Sequence, residues 1–243
     1  MPLAIAGNRT IYFAHVPKAG GSSVELYMHE RFGDLSLRSI TRKGRLSRFE
    51  PGPFSAVMTS PNHLVWQDAR FFLPRRVDLS FALVRDPLAR IVSQYRFQKP
   101  HSKASGLDFS TWLRVVLRAA ALDPRIYGNH IRPQVDFLSE GMEVFRLEDG
   151  LDRIIDWLDA RLGEGAPGIS MGHIQKSAKV SVEPKREDVA LVARYYAADY
   201  DRFGYSPPDP AAHPSDPLAG LRDLAARPLA RGVILRHRRR WLT

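Results

Sequence analysis

The chain contains no cysteine, which excludes disulfide bridges and thiolate chemistry and suits a reducing compartment. It also lacks any apolar run near the ~20 residues needed to cross a bilayer, and no charged segment leads into an apolar one at its N-terminus. Histidines and carboxylates nowhere fall at a metal-ligand spacing such as His-Glu-x-x-His, so no metal site is expected. The tripeptide Gly-Lys-Ser/Thr, with which nucleoside-triphosphate P-loops hold phosphate and magnesium, is missing as well, and this argues against an ordinary ATPase or kinase. Negative charge is scarce: 26 acidic residues face 36 lysines and arginines, a net charge of +10. That balance favours anionic partners, although no nucleic-acid-binding motif accompanies it.

What is present starts with Ile11-Tyr-Phe-Ala-His-Val-Pro-Lys-Ala-Gly-Gly-Ser-Ser23. A β-branched and aromatic run predicts a buried strand, Gly20 and Gly21 let the backbone turn, and Val24 to Phe32 has helical character. Backbone N–H groups from Ala19 to Ser22, the hydroxyls of Ser22 and Ser23, and Lys18 would converge on an oxyanion at the helix N-terminus. A second strand-like run, Val77 to Val84, leads into Arg85-Asp86-Pro87. Asp86 suits an N-cap and Pro87 the first helical position. Leu88, Ile91, Val92 and Tyr95 then form one apolar face, with Ser93 off that stripe. Arg85 and Ser93 together could grip a second anion.

Further helical segments are expected at Ser110 to Ala120, Leu151 to Leu162 with Gly163 as C-cap, and Glu187 to Tyr200, with a strand at Met142 to Leu147. With 243 residues and 44% hydrophobic content, the chain can bury one substantial core. The alternation predicts an α/β fold with a mostly parallel central sheet and helices on both faces.

His15-Val-Pro-Lys-Ala-Gly-Gly-Ser-Ser23 resembles the 5′-phosphosulfate loop of sulfotransferases, and Val84-Arg-Asp-Pro-Leu-Ala-Arg-Ile-Val-Ser-Gln-Tyr95 resembles their 3′-phosphate motif. The likeness is strongest to the carbohydrate branch, which includes heparan sulfate 2-O-sulfotransferase and the chondroitin and dermatan sulfotransferases. It extends over roughly residues 10 to 206, through Asn129-His-Ile-Arg-Pro-Gln134 and Tyr195 to Tyr205. It implies a P-loop-like three-layer fold, 3′-phosphoadenosine 5′-phosphosulfate (PAPS) as donor, no catalytic metal, and a carbohydrate or other hydroxyl-bearing acceptor. Lys18 would be catalytic, Ala19, Gly20, Gly21, Ser22 and Ser23 would cradle the phosphosulfate, and Arg85 and Ser93 would hold the 3′-phosphate. Gly172 to Lys179 resembles a segment that closes over the nucleotide, which makes Lys176 and Ser177 further donor contacts. The membrane anchor of the family's Golgi members is missing, so the expected setting is bacterial and cytoplasmic.

A base must accept the proton of the attacking hydroxyl, and neutral histidine, with an unperturbed pKa near ~6.5, is the usual choice. By resemblance His63, which lies between the two donor motifs, takes this role, with Glu25 in the first helix as runner-up. His15 is better read as packing or as bonding the loop, His130 could line an acceptor cleft or equally make a structural contact, and Trp66, Phe71 and Phe72 could stack on a sugar, although a Phe-Phe pair beside Leu73 is more often core. Residues 1–206 form the expected sulfotransferase domain. Residues 207–243 form a Pro/Ala-rich and then basic tail, with seven arginines against three aspartates, expected to be frayed. A membrane-surface or polyanion contact is the alternative for that tail. A P-loop phosphotransferase and a non-catalytic nucleotide-binding protein of the same fold stay open.

Overall fold

Among the described residues four strands order as β1-β2-β3-β4: β1 (Leu3–Ala6), β2 (Arg9–Ala14), β3 (Leu79–Val84) and β4 (Glu143–Arg146). The computed structural model describes residues 2–36, 59, 61–99, 106–171 and 180–242. The described helices are α1 (Gly21–Phe32), α2 (Trp66–Ala69), α3 (Pro87–Gln98), α4 (Phe109–Leu122), α5 (Asp152–Leu162), α6 (Arg186–Tyr195), α7 (Ala197–Phe203) and α8 (Ala219–Leu242). The chain divides into two compact units, one made of Met1–Arg85 with Asp136–Lys176 and the other of Asp86–Val135 with Ser177–Thr243.

The first unit holds the sheet. β2 and β3 pair in parallel with Ile11 opposite Leu79, and β3 and β4 in parallel with Phe81 opposite Glu143. β1 is antiparallel to β2 across a turn at Gly7, whose φ is +58°. The sheet is therefore mixed, parallel in its three inner-to-edge strands and closed on one side by a hairpin. Ile11, Phe13, Phe81 and Leu83 pack with Val24, Tyr27 and Met28 of α1 and Ile154 and Leu158 of α5. On the opposite face Tyr12, Ala14, Ala82 and Val84 are buried too, with the Tyr12 ring 6.3 Å from that of Trp66. Burial on both faces explains why these strands read as continuous apolar runs rather than alternating ones.

The second unit is helical. Ile91 and Tyr95 of α3, Trp112 and Val116 of α4, Val192 and Tyr196 around α6, and Ala230 and Ile234 of α8 share one core. α3 begins as its sequence dictates: the Asp86 carboxylate accepts the N–H of Ala89 at 2.8 Å, and Pro87 occupies the first turn. Asp199, fully buried, accepts the N–H groups of Gln134 and Val135 at 2.9 and 3.0 Å. Arg90, 1% exposed, donates to the carbonyls of His130 and Arg132, so this arginine is structural.

Two expectations need correction here. The stretch expected as one helix from Glu187 to Tyr200 is two, α6 and α7, broken at Tyr196, whose buried hydroxyl donates to the Ile131 carbonyl at 2.8 Å. The frayed tail does not hold over Ala219–Leu242 either. That segment is a helix whose Ala226, Ala230 and Ile234 are buried at 0%, 1% and 8% exposure. Ala226, Ala230 and Ile234, spaced by four, place one apolar line of α8 against the core of the helical unit.

Candidate active site

The parallel register decides what meets at the sheet edge. Ala14 of β2 lies opposite Ala82 of β3, so the residues that follow each strand emerge side by side at the carboxyl end, where α/β sheets bind ligands. Lys18 follows β2, and Arg85 follows β3. Arg85 donates from Nη1 to the Lys18 carbonyl at 3.5 Å. The half-buried Lys18 ammonium is held down to about 8, first by burial and then by the nearby Arg85 guanidinium. Two cations placed so close, one of them partly desolvated, are complementary to a multiply charged anion.

The loop between β2 and α1 is bent into this position by left-handed residues. Lys18 has φ +65° and Gly20 φ +93°, and a non-glycine residue held in that region stores strain of the kind found at functional sites. Gly20 also packs tightly: a Cβ there would stand 3.1 Å from Leu147 and 3.4 Å from Leu83. α1 begins at Gly21, three residues earlier than its apolar pattern suggests, with no side-chain cap and no acidic residue in its first turn. The N–H of Ser23 bonds the Gly20 carbonyl at 3.1 Å. The earlier first-turn amides keep the positive end of the helix directed at whatever sits above the loop.

Behind the loop lies a cluster that sequence reading divided among separate roles. His15 is 7% and Glu25 6% exposed, and their Nδ1 and Oε1 atoms are 2.6 Å apart. The His15 ring stacks on Phe13 and stands edge-on to the His63 ring, with centroids 4.7 Å apart. His63, in the 3-10 turn Pro61–His63, has its Nδ1 3.1 Å from the His15 carbonyl oxygen. A carbonyl only accepts, so Nδ1 carries the proton and Nε2 is the basic nitrogen of neutral His63. Glu25 is engaged by His15. This contact was hidden because a helix begun at Val24 gives no reason for a glutamate to point back under the loop.

The same packing dictates Gly21. A Cβ at this position would lie 2.2 Å from both Cδ2 and Nε2 of His15, a ring that Glu25 and Phe13 hold in place. We expect Gly21→Ala to cost about 1–3 kcal/mol of stability by overpacking, measured by urea denaturation; an unchanged midpoint would show that His15 is not locked.

Ala19 is buried, Ser22 half-buried and Ser23 buried, all on the loop or the first turn of α1. Ser93 is 6% exposed on α3 in the helical unit, a buried rather than solvated position. Lys176 and Ser177 lie outside the described residues. His130 bonds Gln94 at 2.8 Å and stacks on Phe97, contacts that serve packing. Phe71 is 75% exposed with the Arg70 guanidinium 4.9 Å from its ring centroid, so it is no core residue. Among the described residues no three histidine or carboxylate side chains gather as a metal site.

A family model described as "Sulfotransferase family" matches residues 1–206. The chain belongs to the sulfotransferase family and is a transferase of sulfuryl groups. Comparison with curated proteins and with solved structures gave no match.

Proposed function

We propose that this sulfotransferase moves the sulfuryl group of PAPS to a carbohydrate hydroxyl by in-line displacement, within a P-loop-like layered fold. The observation that carries this reading is the half-buried Lys18 beside Arg85, on a left-handed turn at the uncapped start of α1. Lys18 stabilises the charge that develops on the oxygen leaving sulfur, and it does so more in the transition state than in the ground state. The N–H groups of Ala19 to Ser22 and the Ser22 and Ser23 hydroxyls hold the phosphosulfate. Arg85 and Ser93 are assigned by their motif to the 3′-phosphate, and Lys176 and Ser177 to the nucleotide. His63 takes the acceptor proton at Nε2, and the His15–Glu25 pair fixes the surface against which it rests. Exposed Phe71 supplies an aromatic face suited to a sugar ring.

The sign of the pH dependence follows from Lys18. Its folded pKa, about 8, lies below the ordinary 10.5, so the cation is lost from the free enzyme as pH rises through about 8. We expect kcat/KM for the donor to fall on that alkaline limb, because this ratio reports the free enzyme. In Lys18→Arg the limb moves to higher pH, since a guanidinium stays charged. A profile flat through pH 8 in the parent would contradict the assignment. The same shift makes the unfolded chain bind more protons than the folded one between about 8 and 10.5, so Lys18 lets stability rise with pH over that window.

The direct test is incubation with radiolabelled PAPS and a panel of oligosaccharide acceptors, with a parallel thermal-shift series. Labelled sugar and stabilisation by adenosine 3′,5′-bisphosphate support the reading. Stabilisation by Mg-ATP alone points instead to a phosphotransferase, and donor binding without transfer to a non-catalytic nucleotide binder.

A further inference from the structure

We infer that the outward face of α8 is a membrane-surface contact, made for a bilayer rich in anionic lipid. The helix presents two apolar faces. Ala226, Ala230 and Ile234 are turned into the core of the helical unit. Leu221, Leu224 and Leu235 are turned away from it at 64%, 57% and 58% exposure. With Pro228, these leucines fall at spacings of three, seven and fourteen residues, which is a single stripe along a helix.

Arginines border that stripe. At 100° per residue Arg227, Arg231 and Arg238 line one flank, Arg236 the other, and Arg239 closes the C-terminal end of the stripe; all five are exposed, and Arg238 also stands 3.5 Å from the Asp123 carboxylate. Asp223 is the last acidic residue, and from Leu224 onward every lysine, arginine, aspartate or glutamate is an arginine. An apolar stripe bordered by cations is the pattern of a helix lying in the interfacial plane, with leucines among the acyl chains and guanidinium groups at the headgroups. No described helix is long and apolar enough to cross a membrane, so the helix lies on the surface. A soluble polyanion would use the arginines and leave the leucines without purpose. A second copy of this face would set arginine against arginine, which disfavours self-association.

The experiment is co-sedimentation of the full chain with vesicles of phosphatidylcholine alone and of phosphatidylcholine mixed with phosphatidylglycerol. The parent should bind the anionic vesicles, with affinity falling as salt rises, and leave the neutral ones largely unoccupied. The triple variant Leu221→Ser, Leu224→Ser, Leu235→Ser and the triple variant Arg227→Gln, Arg231→Gln, Arg236→Gln should each lose at least about tenfold in affinity. All six positions are exposed, so both variants should melt as the parent does and keep the thermal shift with adenosine 3′,5′-bisphosphate. Three results would overturn the proposal: no binding to anionic vesicles, binding that survives the leucine substitutions, or a parent dimer that those substitutions dissociate. Binding of a soluble sulfated polysaccharide that depends on the arginines alone, without vesicle binding, would assign the face to a polyanion and equally reject the membrane.

Discussion

Lys18→Ala should lower kcat by about 10²–10³, the range found when one preorganised donor to a developing negative charge is removed. Lys18 is a half-buried cation held down to about 8 by burial and by Arg85. Such a group is costly to keep charged without a counter-anion. Removing it should therefore leave folding stability unchanged or slightly raised while turnover collapses. Lys18→Gly should do the same and also relieve the left-handed backbone at φ +65°. The check is paired: single-turnover rates with labelled donor, and urea denaturation of the same samples. Equal losses of activity and stability would mean that Lys18 serves the loop's structure rather than the reaction.

Asp188→Ala should have the opposite profile. Asp188 is fully buried and accepts from Arg114 Nη1 at 2.7 Å, from Ser110 Oγ at 2.6 Å and from the Lys185 N–H at 3.0 Å. Arg114 is itself 2% exposed. Deleting the carboxylate leaves a buried guanidinium short of its nearest partner, an effect of about 3–5 kcal/mol. Asp223 at 3.6 Å and Asp216 at 3.9 Å recover part of it, so the lower end of that range is expected. Denaturation read by tryptophan fluorescence measures the loss. A cost under about 1 kcal/mol, typical of an exposed ion pair, would show that the network does not hold the helical unit together.

Local chemistry was the legible part of this chain. Asp86-Pro87 announces the start of α3 and Gly163 the end of α5, because a cap is set by residues within one turn. Gly20 and Gly21 announce the sharp turn into α1 for the same reason. Three features depend on pairing that no short window contains. The hairpin strand β1 is only Leu3-Ala-Ile-Ala, too short and too plain to signal a strand. Arg85 comes beside Lys18 through the parallel register of β2 and β3. Glu25 reaches His15 because α1 starts at Gly21, where the backbone turn rather than the apolar pattern sets the boundary.

α8 was misread for a different reason. Its apolar residues lie on two opposite faces, Ala226, Ala230 and Ile234 inward and Leu221, Leu224 and Leu235 outward, so the helical period cancels in the sequence. What remains visible is a run of arginines, which resembles a solvated end. The structure separates the two faces and gives each its own role: one completes the core of the helical unit, and the other is presented outward.

Calorimetric titration of the parent with adenosine 3′,5′-bisphosphate, adenosine 5′-monophosphate and Mg-ATP tests the donor assignment most directly. The bisphosphate should bind at least about tenfold more tightly than the monophosphate, because a charge-assisted contact to a second phosphate contributes more than a neutral one, and Arg85→Ala should remove most of that difference. Equal affinity for the two, or a preference for Mg-ATP, would contradict the reading of this loop as a sulfuryl-donor site.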